Sequence, residues 1–218
     1  MKHFFVYGAH PALSHAEATS VLGHAPELIG SAWMAGLETD SWDGERLQDR
    51  LAGVIKLGDI VEEIPVKKLN ASMLADLLLA RPRGSRVLFG LSIYTDDRKK
   101  SEALQHLPIL LKRELQDRGK GVRWVTGDRG MIVPAAVTKL DLTSQGYDLV
   151  IGVKDDMAFI GLTTHAQNAN AWSVRDYDRP FRDAKTGMLP PKLARIMVNL
   201  ALAKRPSSTQ SDLQLGAF

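Results

Sequence analysis

Short apolar runs alternate with helical stripes along the first half of the chain. His3–Tyr7 is an apolar run that predicts a buried strand. Ser14 with Glu17 three residues on reads as a capping box, opening a helix that turns Ala16, Val21 and Leu22 inward and stops at Gly23. Leu28–Leu37 predicts a strand weakened by Gly30 and Gly36. Asp43–Ala52 predicts a polar helix with Leu47 and Leu51 at i, i+4 spacing, closed by Gly53. Val54–Ile64 reads as a strand interrupted at Gly58 and ended by Pro65. Asn70 caps a helix whose stripe is Met73, Leu74, Leu77 and Leu78, and Arg81-Pro82-Arg83-Gly84 breaks it. Arg86–Tyr94 is the clearest strand. The order β-α-β-α-β-α-β predicts an α+β chain opening with a ferredoxin-like sandwich or a close relative.

The second half carries the same kinds of signal. A short helical piece is expected from Arg98 to Leu104. Leu107–Asp117 is a stronger helix, with Pro108 in its first turn and Leu107, Leu111 and Leu115 facing a core. Val122–Thr126 is a short strand, and Val133–Leu142 a helix with Val133, Val137 and Leu140 inward. Tyr147–Val153 and Met157–Thr164 form a hairpin across Asp155-Asp156, with strands buried on both faces. A last helix starts at Pro190 or Pro191 and runs to about Ala203. This divides the chain into a first unit over residues 1–66, extending as far as 97, and a second over 67–165. A basic linker and helix over 166–203 and a flexible tail over 204–218 follow.

Composition narrows the function. Hydrophobic residues make up 44% of the 218 and cysteine is absent, so a packed core is affordable and thiolate chemistry is excluded. No apolar run is long enough to span a bilayer, so no membrane partner is expected. Residues 1–97 hold 9 Lys and Arg against 13 Asp and Glu, whereas residues 98–218 hold 19 against 12. A basic second half marks either a polyanion footprint or a solvated surface. The six histidines show no metal-ligand spacing, and no Walker loop or nucleophile elbow occurs.

The densest basic stretch is Trp172–Ala201. Arg175, Arg179, Arg182, Lys185, Lys192 and Arg195 are interleaved there with Trp172, Tyr177 and Phe181. Guanidinium forks suit phosphate and aromatic rings suit bases. Asp176, Asp178 and Asp183 sit among them, so two readings stay open: RNA contact, or a structural clamp held by ion pairs. Trp172 and Tyr177 read as packing residues more than stacking platforms. Arg123 and Arg129 are further candidate RNA contacts in the second unit.

Thr164–Ala201 closely resembles the segment joining the THUMP domain to the catalytic domain in the tRNA guanosine(10) N2-methyltransferases. The residues that carry the resemblance are Gln167, Ala171-Trp172-Ser173, Arg175-Asp176-Tyr177, Arg179-Pro180, Arg182-Asp183, Gly187 through Ala194, and Asn199-Leu200. Phe4–Gly8 with Leu13–Glu17, and Phe89–Tyr94, resemble the family's opening strand and helix and the strand leading into its THUMP domain. The resemblance implies a ferredoxin-like domain followed by a THUMP-like α/β domain that engages the tRNA acceptor end. It implies tRNA as partner and the cytoplasm as location. After Asn199-Leu200 the family continues into its cofactor-binding strand, whereas Ala203-Lys204-Arg205-Pro206-Ser207 follows here. Neither the glycine-rich turn for S-adenosylmethionine nor the Asn/Asp-Pro-Pro-aromatic motif occurs, and Leu189-Pro190-Pro191-Lys192 lacks the residues that flank the latter. The expectation is therefore a tRNA-binding, substrate-recognition half with no catalytic residue and no cofactor of its own. S-adenosylmethionine would belong to a missing domain or a separate methyltransferase subunit. The rival is a non-catalytic module in which the arginines clamp the domains.

Overall fold

The computed structural model describes residues 1–127, 130–178 and 187–203. The first six elements are β1 (Lys2–Tyr7), α1 (Pro11–Leu22), β2 (Glu27–Leu28), β3 (Met34–Glu38), α2 (Gly44–Arg50) and β4 (Val54–Pro65). They give β-α-β-β-α-β, the ferredoxin-like order. A 3-10 turn at Val66–Lys68 leads into α3 (Ala71–Leu79), β5 (Val87–Tyr94), α4 (Arg98–Leu104), α5 (Leu107–Asp117) and β6 (Val122–Val125). Next come α6 (Pro134–Lys139) and the hairpin of β7 (Tyr147–Lys154) and β8 (Met157–Ala166). The last described elements are α7 (Ala169–Tyr177) and α8 (Pro191–Ala203).

The eight strands among the described residues lie in one sheet, ordered β2-β3-β1-β4-β8-β7-β5-β6. Parallel pairing is confined to β5 with β6 and with β7, where helical crossovers allow it. The fold class is α+β. The two four-stranded groups meet where β4 runs antiparallel to β8, from Lys56 opposite Ala166 to Pro65 opposite Met157. Gly58 belongs to this seam: a Cβ there would lie 2.1 Å from the Leu162 carbonyl oxygen. Beneath it, fully buried Lys56 Nζ donates to Asp148 Oδ2 at 2.9 Å, and Thr163 Oγ1 donates to the same oxygen at 2.6 Å. Asp148 Oδ1 is buried with no hydrogen-bond partner among the described residues. One apolar core packs α3 and α5 on the β5–β7–β8 face, and another packs α1 and α2 on β1, β3 and β4.

Local chemistry explains most boundaries. Asn70 Oδ1 accepts from Met73 N at 3.0 Å and starts α3, and Asp43 caps α2 in the same way. Leu107, Leu111 and Leu115 of α5 are buried, and Asp155-Asp156 is the hairpin tip.

Several expectations change. α1 opens at Pro11, not at a capping box, because Glu17 is drawn away to bind backbone amides of another segment. Ala16 faces out and Ala18 takes its place in the core. The strand expected over Leu28–Leu37 splits into β2 and β3, since Gly30 turns at φ 95° against the Tyr94 carbonyl. α2 ends at Arg50, with Leu51 and not Gly53 as the residue that closes it. β4 is continuous through Gly58, with a local register shift beside it. Val133 caps α6 and is exposed, because it precedes the first helical turn.

Candidate nucleic-acid interface

The linker region folds back onto the first unit. Asn168 Oδ1 accepts from Ala171 N at 3.0 Å and caps α7, which ends at Tyr177, ahead of Pro180. α8 begins at Pro191, where a missing N–H costs nothing. Asn199 on α8 then donates to Glu17 Oε1 at 2.7 Å and to the Arg50 carbonyl at 3.0 Å. Glu17 is fully buried and also accepts from Ala52 N at 3.1 Å and Gly53 N at 2.8 Å. Gln167 Nε2 donates to the Ala52 carbonyl at 3.0 Å, and its Oε1 accepts from Lys192 Nζ. Arg195 donates to the Asp49 carbonyl. The side chains of α8 are thus tied to the end of α2 and the start of β4.

Trp172 is the centre of this arrangement. It is buried against Ala52 and Ile196. Among the described residues three cations surround its indole: Arg175 at 4.8 Å from the ring centroid, Arg195 at 5.1 Å and Lys192 at 5.5 Å. Each contact has cation–π geometry. A polar cavity of about 370 Å³ opens beside them, lined by Gln48, Asp49, Asn168, Trp172, Arg175 and Arg195. Burial holds the Lys192 ammonium below its ordinary range. Arg195 is also pressed down, first by burial and then by the charge of Arg175, while Asp49 and Glu17 pull the other way. Three basic groups and the Asp49 and Glu17 carboxyls thus share the surroundings of one ring.

The sequence candidates divide into groups. Arg175, Lys192 and Arg195 converge on Trp172. Arg123 is elsewhere, exposed on β6 opposite Leu88. Arg129, Arg179, Arg182 and Lys185 lie outside the described residues. Trp172 packs and Tyr177 is exposed.

Sequence reading missed two features. Gln167, Lys192 and Asn199 carry the family resemblance, yet they serve here as anchors of the linker, with Glu17 as the shared acceptor. Arg86 and Lys120 form a second basic corner near Arg123, where Val87 N donates to the Gly121 carbonyl at 2.8 Å. These three cations are exposed and make no ion pair among the described residues. The triplet of arginines in Arg81–Arg86 was the available signal.

The turn after the parallel strand β5 is Thr95-Asp96-Asp97 and holds no glycine. No helix among the described residues is long and apolar enough to cross a membrane.

No family model and no curated protein sequence matches the chain. Among solved structures, TrmN from Thermus thermophilus aligns at 14% identity and a TM-score of 0.49, over 93% of this chain and 55% of that one. A predicted N6-adenine-specific DNA methylase from Listeria monocytogenes aligns at 11% and 0.41, over 90% and 47%. A 4-thiouridine synthetase, solved as an RNA complex with bound ATP, aligns at 9% and 0.38, over 76% and 41%. The chain spans about half the length of these structures or less.

Proposed function

We propose that this chain binds tRNA and serves as the substrate-recognition part of a THUMP-type tRNA guanine-N2 methyltransferase. The observation that carries the reading is the set of three cations gathered on Trp172 beside an open polar cavity. Guanidinium forks and an ammonium beside an open polar cavity suit the oxygens of a phosphate. The basic corner at Arg86, Lys120 and Arg123 supplies a second footprint. The motif residues of the linker support the methyltransferase family. In this reading, methyl transfer and S-adenosylmethionine belong to a catalytic domain that these residues do not form.

Titration of a tRNA transcript at increasing salt tests it. Affinity falls steeply with salt as counterions are released, and Arg175→Ala and Arg123→Ala each lower the log–log slope by about 1. Absence of binding, or binding indifferent to salt, sinks the proposal.

The contacts of Lys192 with Gln167 and of Arg195 with Asp49 favour a second reading, the internal clamp. If Arg195→Glu lowers the melting temperature and the wild type never binds tRNA, the clamp replaces RNA binding.

A further inference from the structure

A second cavity, of about 380 Å³, lies between the turn after β1, the start of α1 and the first turns of α8. Its floor is made of small residues, Gly8, Ala9, Ala52 and Gly53. The floor's backbone is already paired, since Gly8 N donates to the Gly53 carbonyl at 2.8 Å. Leu13, Ile55, Leu193 and Ile196 form apolar walls. Lys192 also lines the cavity. Its ammonium gives one of three N–H donors to Gln167 and makes no other hydrogen bond among the described residues.

We infer that this slot takes one unpaired nucleobase of the bound RNA. The inference rests on the RNA-binding reading above and names a recognition element within it. The volume lies in the range of pockets that enclose small ligands. A heterocycle has apolar faces for Leu13, Ile55, Leu193 and Ile196, and ring nitrogens and carbonyl oxygens for Lys192, His10 and Ser14. An aliphatic ligand makes no use of the further Lys192 donors, and a bare anion gains nothing from leucine and isoleucine. Lys192 belongs both to this slot and to the cation ring on Trp172. A nucleotide whose base enters here therefore has its phosphate within reach of the cluster that Arg175 and Arg195 complete.

The test compares the full chain with Ala9→Leu, which fills the slot from an exposed position. The probes are a tRNA transcript and a blunt RNA duplex without unpaired bases. The filled variant binds tRNA about tenfold more weakly, in line with the loss of one base's buried apolar area. Its salt slope and its affinity for the duplex stay unchanged, because phosphate contacts are untouched. Wild-type tRNA binding that is steep in salt but indifferent to Ala9→Leu overturns the slot and leaves the proposed function standing. A filled variant that also loses salt slope overturns the slot as well. No tRNA binding by the wild type overturns both. Should Ala9→Leu melt at a lower temperature than the wild type, Leu193→Phe fills the slot from α8 and is judged by the same readouts.

Discussion

Tyr7 and Tyr94 are buried phenols, and burial is the first cause that lifts both above the ordinary value of 10.0. The Asp148 carboxylate adds to the effect at Tyr94. Folded protein therefore keeps two protons that the unfolded chain gives up near pH 10. The stability this confers is complete below about pH 10 and is lost as pH rises beyond it. Urea unfolding followed from about pH 8 to about pH 11 shows a falling midpoint, and the fall is shallower in a Tyr7→Phe, Tyr94→Phe double variant. An equal slope in both proteins would refute the assignment. These positions were visible in the sequence as apolar strand residues. Their alkaline sensitivity was not, because it depends on which elements close over them.

Among the elements, α8 depends on Glu17. That carboxylate accepts from Ala52 N, Gly53 N and Asn199, all away from water. Glu17→Gln replaces one accepting oxygen with a donor that faces another donor, at a cost of about 2–4 kcal/mol in urea unfolding. Hydrogen exchange in α8 should accelerate with it, and unchanged protection there would count against the docking role. The same residue shows where local reading stops. The Ser14-x-x-Glu17 spacing has the form of a capping box, yet Ser14 Oγ donates to the His10 carbonyl and Glu17 serves a partner far along the chain. By contrast α3, α5 and the β7–β8 hairpin were legible, since their caps, leucine spacing and turn residues are satisfied within the segment. The β2–β3 break was hidden because Gly30 turns against Tyr94, a neighbour in space only.

At the scale of the molecule, the seam of β4 with β8 joins the two units over a buried ion pair. Removing one partner, as in Lys56→Met, strands a buried charge and costs about 3–5 kcal/mol. Lys56→Met with Asp148→Leu together recovers most of that loss. A double variant as unstable as the single one would show that the pair itself, not the stranded charge, sets the cost. The charge asymmetry between the halves was readable from composition, and so was the basic stretch around Trp172. Which cations turn inward was not readable: α8 is apolar on much of its surface, so spacing alone does not say that Lys192 and Arg195 lie against Trp172.

The sheet has two rims, and both are meagre. β2 offers two residues on one side, and β6 four on the other, with Arg123 exposed among them. A long bare rim templates the addition of another copy, while a short or charged one resists it. An open eight-stranded sheet would otherwise be prone to fibre growth. This one is finished at each end by too little backbone to recruit a neighbour, so concentrated solutions of the folded chain should stay free of cross-β assemblies.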